Sequence, residues 1–226
     1  MMTNSIGQTT TKSPAKKKNS ALSKEEQFRA TKQIAELELQ LWVELFAEPR
    51  AVEPLVDLLS SKLRSLDDSE LGKTVNRLAV ALLKRAKTAK KNKKKGPAYD
   101  REVNALANKL QQADKDRLLV NCIRNEAIRI GTSRRANGQT VKSSHTRKVE
   151  KKGREVDMVR HAFIQANQGL VYLVAQRYRQ SKNQLHFLDL VQEGNIGLIK
   201  GLNRFDYRQN VRFATYASWW VQSTIS

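Results

Sequence analysis

A single cysteine, Cys122, stands in 226 residues. One thiol excludes an intramolecular disulfide and fits a reducing cytosol. It lies between Val120 and Ile123 in a helical pattern and reads as a small buried hydrophobe. The three histidines, His145, His161 and His186, are scattered and show no metal-ligand spacing. There is no Gly-rich phosphate loop and no nucleophile motif. The sequence therefore points to no enzyme, no metal and no cofactor. No run approaches the roughly 18 apolar residues of a membrane span, and no helix pairs a basic face with a strong apolar one. The N-terminus has no apolar segment of the secretory kind. A membrane partner is not expected.

Glycine and proline are scarce, at ten and four. Leu, Ala, Lys, Glu, Gln and Arg dominate, and no stretch alternates convincingly as a strand. The expected class is all-α.

Acid is missing from residues 1–21, which are rich in Ser, Thr and Lys. That stretch is expected to be a disordered basic tail. Its first arginine comes only at Arg29, which argues against an organelle transit peptide. The whole chain carries a formal net charge of +20. Residues 156–226 account for +4 and residues 1–155 for +16. A polyanion, most simply nucleic acid, is the implied partner.

Helical periodicity begins at Ser23, where Ser23 and Glu26 form a capping-box pattern. Ser23 to Ala47 is the first expected helix, with Ile34, Leu37, Leu41 and Leu45 inward. Arg50 to Leu66 is the second, and Leu71 to Lys87 the third. From Lys84 to Lys95 eight of twelve residues are basic. This reads as a helix end running into a basic linker over residues 84–97, either phosphate-binding or merely solvated. Tyr99 to Ile130 should form one or two more helices, using Val103, Leu106, Leu110, Leu118, Leu119 and Ile123. Residues 131–148 read as a flexible loop. Glu150 to Tyr178 is read as a helix pair bent near Asn167 and Gly169. Its apolar stripes are Val156, Val159, Phe163, Ile164, Leu170, Leu173 and Val174. The division implied is a tail at 1–21, a helical N-terminal part at 22–148 and a last domain at 149–226.

The most informative stretch is Phe187 to Trp220. At about 100° per residue, Phe187, Leu190, Val191, Gly194, Leu198, Leu202 and Phe205 share one side. Asp189, Gln192, Glu193, Ile196 and Lys200 share the other. Ile196 is an aliphatic among charges. It is either a stray surface residue or the anchor of a partner-binding face. Then six of the fourteen aromatics fall within sixteen residues: Phe205, Tyr207, Phe213, Tyr216, Trp219 and Trp220. Arg204, Arg208 and Arg212 are interleaved. On a helix from Arg212 to Ser226, Phe213, Tyr216 and Trp220 share one face, and Thr215, Trp219 and Gln222 another. One face suffices for a core, so Trp219 is expected to be at least partly exposed. Exposed aromatics beside arginines suit unpaired bases; an aromatic core with solvated arginines is the alternative.

The run from about Val156 to Ile225 resembles the second conserved region of bacterial RNA polymerase sigma factors of the primary, sigma-70 type. IQANQGLVYLVAQRY, FLDLVQEGNIGLIKGLNRFDYR and RFATYASWW carry the resemblance, in order and spacing. LSKEEQFRATKQIAE loosely resembles the short region that precedes it. Residues 48–148 match by position alone the variable segment between the two.

The resemblance implies a helical bundle of the second-region type with extra N-terminal helices, in a bacterial cytoplasm and nucleoid. It implies that Asp189, Gln192, Glu193, Asn195, Ile196 and Ile199 dock on a coiled coil of the largest subunit of core RNA polymerase. It implies that Phe213, Thr215, Tyr216, Trp219, Trp220 and Gln222 face the non-template strand of the −10 element of promoter DNA, with Arg208 and Arg212 toward phosphates. Three departures from the family stand out: Val211 replaces an aromatic, Gln209-Asn210 replaces Arg-Gly, and Gln222-Ser223 replaces Arg-Gln. The sequence stops at Ser226, before the −35-binding region. Two functions follow as expectations. One is a sigma-like initiation factor, the other a short regulatory protein that occupies the sigma site on polymerase without supporting initiation.

Overall fold

The computed structural model describes residues 22–63, 69–134, 140–181, 186–209 and 211–226. The tail expected over 1–21 lies outside them, as do residues 64–66 of the second expected helix. Eight helices and one small β-ribbon are present among the described residues: α1 (Lys24–Leu45), α2 (Val52–Leu63), α3 (Glu70–Asn92), α4 (Pro97–Ala113), α5 (Leu118–Ile130), β1 (Thr132–Arg134), β2 (Thr140–Lys142), α6 (Ser144–Ser181), α7 (Phe187–Arg204) and α8 (Phe213–Ile225). The all-α expectation holds, with the ribbon as its one exception.

Helix α1 begins where the capping box placed it. Ser23 Oγ accepts from Glu26 N, and Glu26 Oε2 accepts from Ser23 N. Its other end is closed from a distance: Tyr99 donates to the Phe46 carbonyl at 2.6 Å, and His145 Nε2 meets the Glu44 carbonyl at 2.7 Å. Burial pushes the Tyr99 phenol pKa up, so it remains a donor. These contacts satisfy carbonyls that a helix end leaves without intrahelical partners.

The apolar side chains form two clusters. One gathers Leu41, Trp42, Leu45 and Phe46 with the inward faces of α2 to α5 and with Val149 and Val156 of α6. The other gathers Ile34 with Phe163, Val171, Val174 and Ala175 of α6, and with α7 and α8. Helices α1 and α6 therefore serve both cores. The boundary expected at 148/149 falls inside α6, and the change of core comes between Val156 and Phe163. The shift in charge along the sequence marks a change of surface, not a break in the chain's packing.

Four further expectations are corrected. The basic linker is mostly helix, because α3 runs to Asn92 and ends on Lys93 in the left-handed region, φ 52°. The described residues of 131–148, namely 131–134 and 140–148, are tied rather than loose. Ser143 N donates to the Gly131 carbonyl at 2.8 Å, Thr132 pairs with Lys142, and Ser143 Oγ caps α6 by accepting from Thr146 N. The expected pair over 150–178 is one continuous helix. Asn167 turns its side chain back onto the Phe163 carbonyl at 2.8 Å and leaves the helix unbroken. Leu118 and Leu173, expected inside, are exposed. Leu118 opens α5 directly after Arg117 turns the chain at φ 59°, and its side chain leaves the core there. Cys122 is only half-buried.

A charged junction lies between the two cores. Glu38 of α1 meets Arg160 of α6 at 2.8 Å and Arg117 at 3.2 Å. Asp157 meets Arg124 at 2.8 Å and Arg117 at 3.7 Å. Arg160, itself buried, also reaches Asn203 at the end of α7. Burial lowers the Arg160 pKa, opposed by Glu38. The guanidinium stays charged and needs these oxygens, since an unpaired buried charge costs several kcal/mol.

Candidate polymerase and nucleic-acid faces

Helices α7 and α8 pack with their backbones close, and glycines permit it. A Cβ on Gly194 would lie 3.0 Å from Ile225 Cδ1 of α8, and 2.6 Å from Val171 Cγ1 of α6. One on Gly197 would lie 2.6 Å from the Trp220 carbonyl oxygen and 2.8 Å from Val221 Cα. Gly201 sits 3.4 Å from Ala217 by the same measure. The spacing Gly194, Gly197, Gly201 was the available signal; of the three, only Gly194 stood out in the sequence.

The outer side of α7 is as the periodicity placed it. Leu190, Val191, Leu198 and Leu202 are buried. Asp189, Gln192 and Glu193 are exposed, with Ile196 and Ile199 at 46% and 41% exposure. Two apolar side chains left open on one polar face favour a docking surface over a stray residue. Leu188, exposed at 70%, belongs to this face and was missed, although it lies four residues before Gln192. Asn195 differs from its neighbours. It is half-buried, and its Oδ1 is buried without a hydrogen-bond partner among the described residues.

On α8 the two expected faces are distinct. Phe213 is 1% exposed and packs edge-on against Phe163 at 4.8 Å and Phe205 at 5.3 Å. It is a core residue, which corrects its expected role at DNA. What remains open beside it is a small hollow shared with Gln27, Phe28, Phe205, Tyr207 and Val211. Thr215, Trp219 and Gln222 are exposed on the opposite face, Trp219 at 62%. Tyr216 and Trp220 lie between, half-buried. Tyr216 donates to the Arg204 carbonyl at 3.3 Å. The Trp219 ring stands edge-on to Trp220 at 4.8 Å.

The arginines divide as well. Arg204 lies over the Trp220 ring at 4.8 Å and pairs with Asp116 at 2.9 Å, so it is a packing residue. Arg208 and Arg212 are exposed. Arg208 meets Asp206 at 3.2 Å, a pair open to water and therefore weak. Asn210 lies outside the described residues.

One residue that sequence reasoning missed connects α1 to this site. Gln27 is buried; its Nε2 donates to the Leu22 carbonyl at 3.0 Å, and its Oε1 accepts from Phe213 N at 3.1 Å. The Arg212 side chain makes no cap at the start of α8, so a glutamine 186 residues away supplies the acceptor. Phe28, exposed beside it, meets Tyr207 edge-on at 5.6 Å.

The sequence of this segment matches known proteins. Residues 163–226 match the family described as Sigma-70 region 2. Over 63 residues the chain is 49% identical to RNA polymerase sigma factor RpoD of Neisseria gonorrhoeae, covering 28% of this chain and 10% of that protein. Over 72 residues it is 44% identical to RNA polymerase principal sigma factor HrdD of Streptomyces coelicolor, covering 32% and 21%. HrdD of Streptomyces viridifaciens is 44% identical over 70 residues, covering 31% and 20%. The match thus spans about a fifth or less of the length of these relatives. The matched segment, region 2 by that likeness, comprises the later part of α6 with α7 and α8. Every α7 and α8 residue discussed above falls inside it. Among the described residues no helix is long and apolar enough to cross a membrane.

Proposed function

We propose that region 2 of this chain docks on core RNA polymerase and holds the unpaired non-template strand of a −10-like promoter element. The exposed face of α7 is the docking surface. Asp189, Gln192 and Glu193 supply its polar contacts, and Leu188, Ile196 and Ile199 its apolar ones. Asn195 lies at its edge. The exposed face of α8 is the strand surface. Trp219 and Thr215 stand open to a base, Tyr216 and Trp220 support them from behind, and Gln222 lies a turn further on. Arg208 and Arg212 face phosphates. Phosphodiester chemistry in this reading belongs to the polymerase.

The observation that carries the reading is the split on α8. The helix buries Phe213 and half-buries Tyr216 and Trp220, yet leaves a full indole outside. A fold built for stability alone has no use for that exposure. Base stacking on such a ring contributes about 1–3 kcal/mol, which helps offset the few kcal/mol needed to unstack a base.

The test is a tryptophan-fluorescence titration with core polymerase present, comparing single-stranded TATAAT with a scrambled oligonucleotide. About tenfold preference for TATAAT is expected, and Trp219→Ala should remove most of it. Co-purification with core enzyme should fail for the double variant Gln192→Ala, Glu193→Lys, since reversing an interfacial charge costs several kcal/mol. Equal affinity for both oligonucleotides, with polymerase binding intact, would overturn strand capture and leave a protein that only occupies the sigma site.

A further inference from the structure

Helix α3 lies outside region 2 and carries a row of cations. Lys73, Arg77, Lys84, Lys87 and Lys91 follow one another at intervals of four, seven, three and four residues. At 100° per residue they fall within about 40° of a common line. All five are exposed, and Val80, also exposed, lies among them. Lys73, Asn76, Arg77, Val80, Ala81 and Lys84 line a shallow concavity at the start of the row. Glu53 reaches Lys87 at 3.9 Å and Lys90 at 3.4 Å. Among the described residues no other carboxylate comes within ion-pair distance of the row, although Glu70 opens the same helix.

This row does not serve the helix. Like charges three and four residues apart, such as Lys84 with Lys87 and Lys87 with Lys91, destabilise it. The helix dipole favours cations only in the last turn, and Arg77 and Lys84 lie well before it. Nothing aromatic lies on the face, so it offers no stacking platform for bases. What it offers is a straight line of positive charge about 21 Å long from Arg77 to Lys91, at 1.5 Å per residue. Duplex DNA presents one phosphate per strand for every 3.4 Å of its axis, so the line spans about six base pairs.

We propose that this face of α3 binds the phosphate backbone of duplex DNA without regard to sequence, as a second nucleic-acid site separate from the α8 strand surface. The choice of DNA over RNA rests on the region 2 reading; the geometry and charge do not.

The experiment uses the full chain without polymerase and a 25-base-pair duplex lacking any −10-like sequence. Affinity is measured over a salt series. The variant Arg77→Gln, Lys84→Gln, Lys87→Gln, Lys91→Gln should bind at least about tenfold more weakly at 100 mM salt. Its log–log salt slope should shrink by about 3 to 4, since each phosphate contact contributes about 0.9. Two controls accompany it. The charge-retaining set Lys84→Arg, Lys87→Arg, Lys91→Arg should bind like the parent. The tail variant Lys16→Gln, Lys17→Gln, Lys18→Gln should lose clearly less than the α3 variant. Circular dichroism reports whether each variant is folded, and the arginine set decides the matter if the glutamine set is not. An unchanged slope, an equal loss from the tail variant, a weakened arginine set, or tighter binding to duplex RNA would each overturn the proposal. The TATAAT preference measured with polymerase should survive in the α3 variant, so a failure here is distinct from a failure of strand capture.

Discussion

The two cores of this protein solve the same packing problem with different materials. The N-terminal cluster is largely aliphatic, and its three rings, Tyr99 and the stacked pair Trp42 and Phe46, lie inside. The region 2 cluster is threaded by rings: Phe163 against Phe213, Phe213 against Phe205, Phe205 against Tyr216, then Trp220 and Trp219. That series starts in the interior and ends in solvent. Net charge runs the other way, with +16 before residue 156 and +4 after it. The N-terminal cluster keeps its rings inside, and the charge lies on the surface around it. Region 2 carries little excess charge and puts a ring on the surface. The contrast suits two kinds of contact with nucleic acid, phosphates for one and bases for the other.

The contrast is sharpest within α8. Phe213→Ala should cost about 3–5 kcal/mol in urea denaturation, the usual range for a buried phenylalanine. Trp219→Ala should cost less than about 0.5 kcal/mol in the same assay while weakening oligonucleotide binding. Similar stability losses for both would erase the distinction between the core and strand faces.

The junction tests whether the two cores are thermodynamically one. Glu38→Ala leaves the buried Arg160 and the half-buried Arg117 each short of one carboxylate. A loss of about 3 kcal/mol is expected, toward the low end for breaking a buried pair because Glu38 is partly open to water. The parent is expected to unfold in a single transition, which should split in two in the variant as near-UV and far-UV signals cease to coincide. A coincident transition in the variant would mean that the shared helices alone hold the cores together.

The smallest effect is at the start of α1. Ser23→Ala removes a cap and should cost about 1 kcal/mol. Hydrogen bonds from Ser23 hold the Glu26 carboxyl below its ordinary value. A depressed carboxyl stabilises the fold above its unfolded pKa, and that contribution fades as pH falls through the folded value. The Ser23 backbone N–H is the larger of these donors and survives in the alanine variant, so the stability difference that should be full at neutral pH and narrow as pH falls through the folded value is that between the parent and Glu26→Gln. A gap that does not narrow would assign the cap to the Ser23 hydroxyl alone.

Much of the architecture was legible because helix periodicity is a strong signal. Val52, Leu55, Val56, Leu59 and Leu63 are all buried as their spacing required. The two sides of α7 followed from the same rule, and so did the exposure of Trp219. What escaped was contact between residues distant in sequence. Nothing near Gln27 announces that it caps α8. Nothing near Glu38 announces Arg160. The ribbon at Thr132–Lys142 was hidden by turn-rich composition, because strands of three residues are too short to show alternation. Phe213 shows the opposite failure. Spacing grouped it correctly with Tyr216 and Trp220, but spacing cannot say which members of a face are reached by a ligand.

The glycines of α7 carry one more implication. Where side chains separate two helices, a rotamer change can absorb a fraction of an ångström. At Gly197 the glycine has no side chain to yield, and beside the Thr224 hydroxyl it meets backbone atoms of Trp220 and Val221 that cannot turn away. The α7 and α8 faces are thereby held at a set bearing to one another, like two flats cut on one shaft. Any partner seated on Ile196 and Ile199 fixes, to within that narrow tolerance, the direction in which the Trp219 indole points.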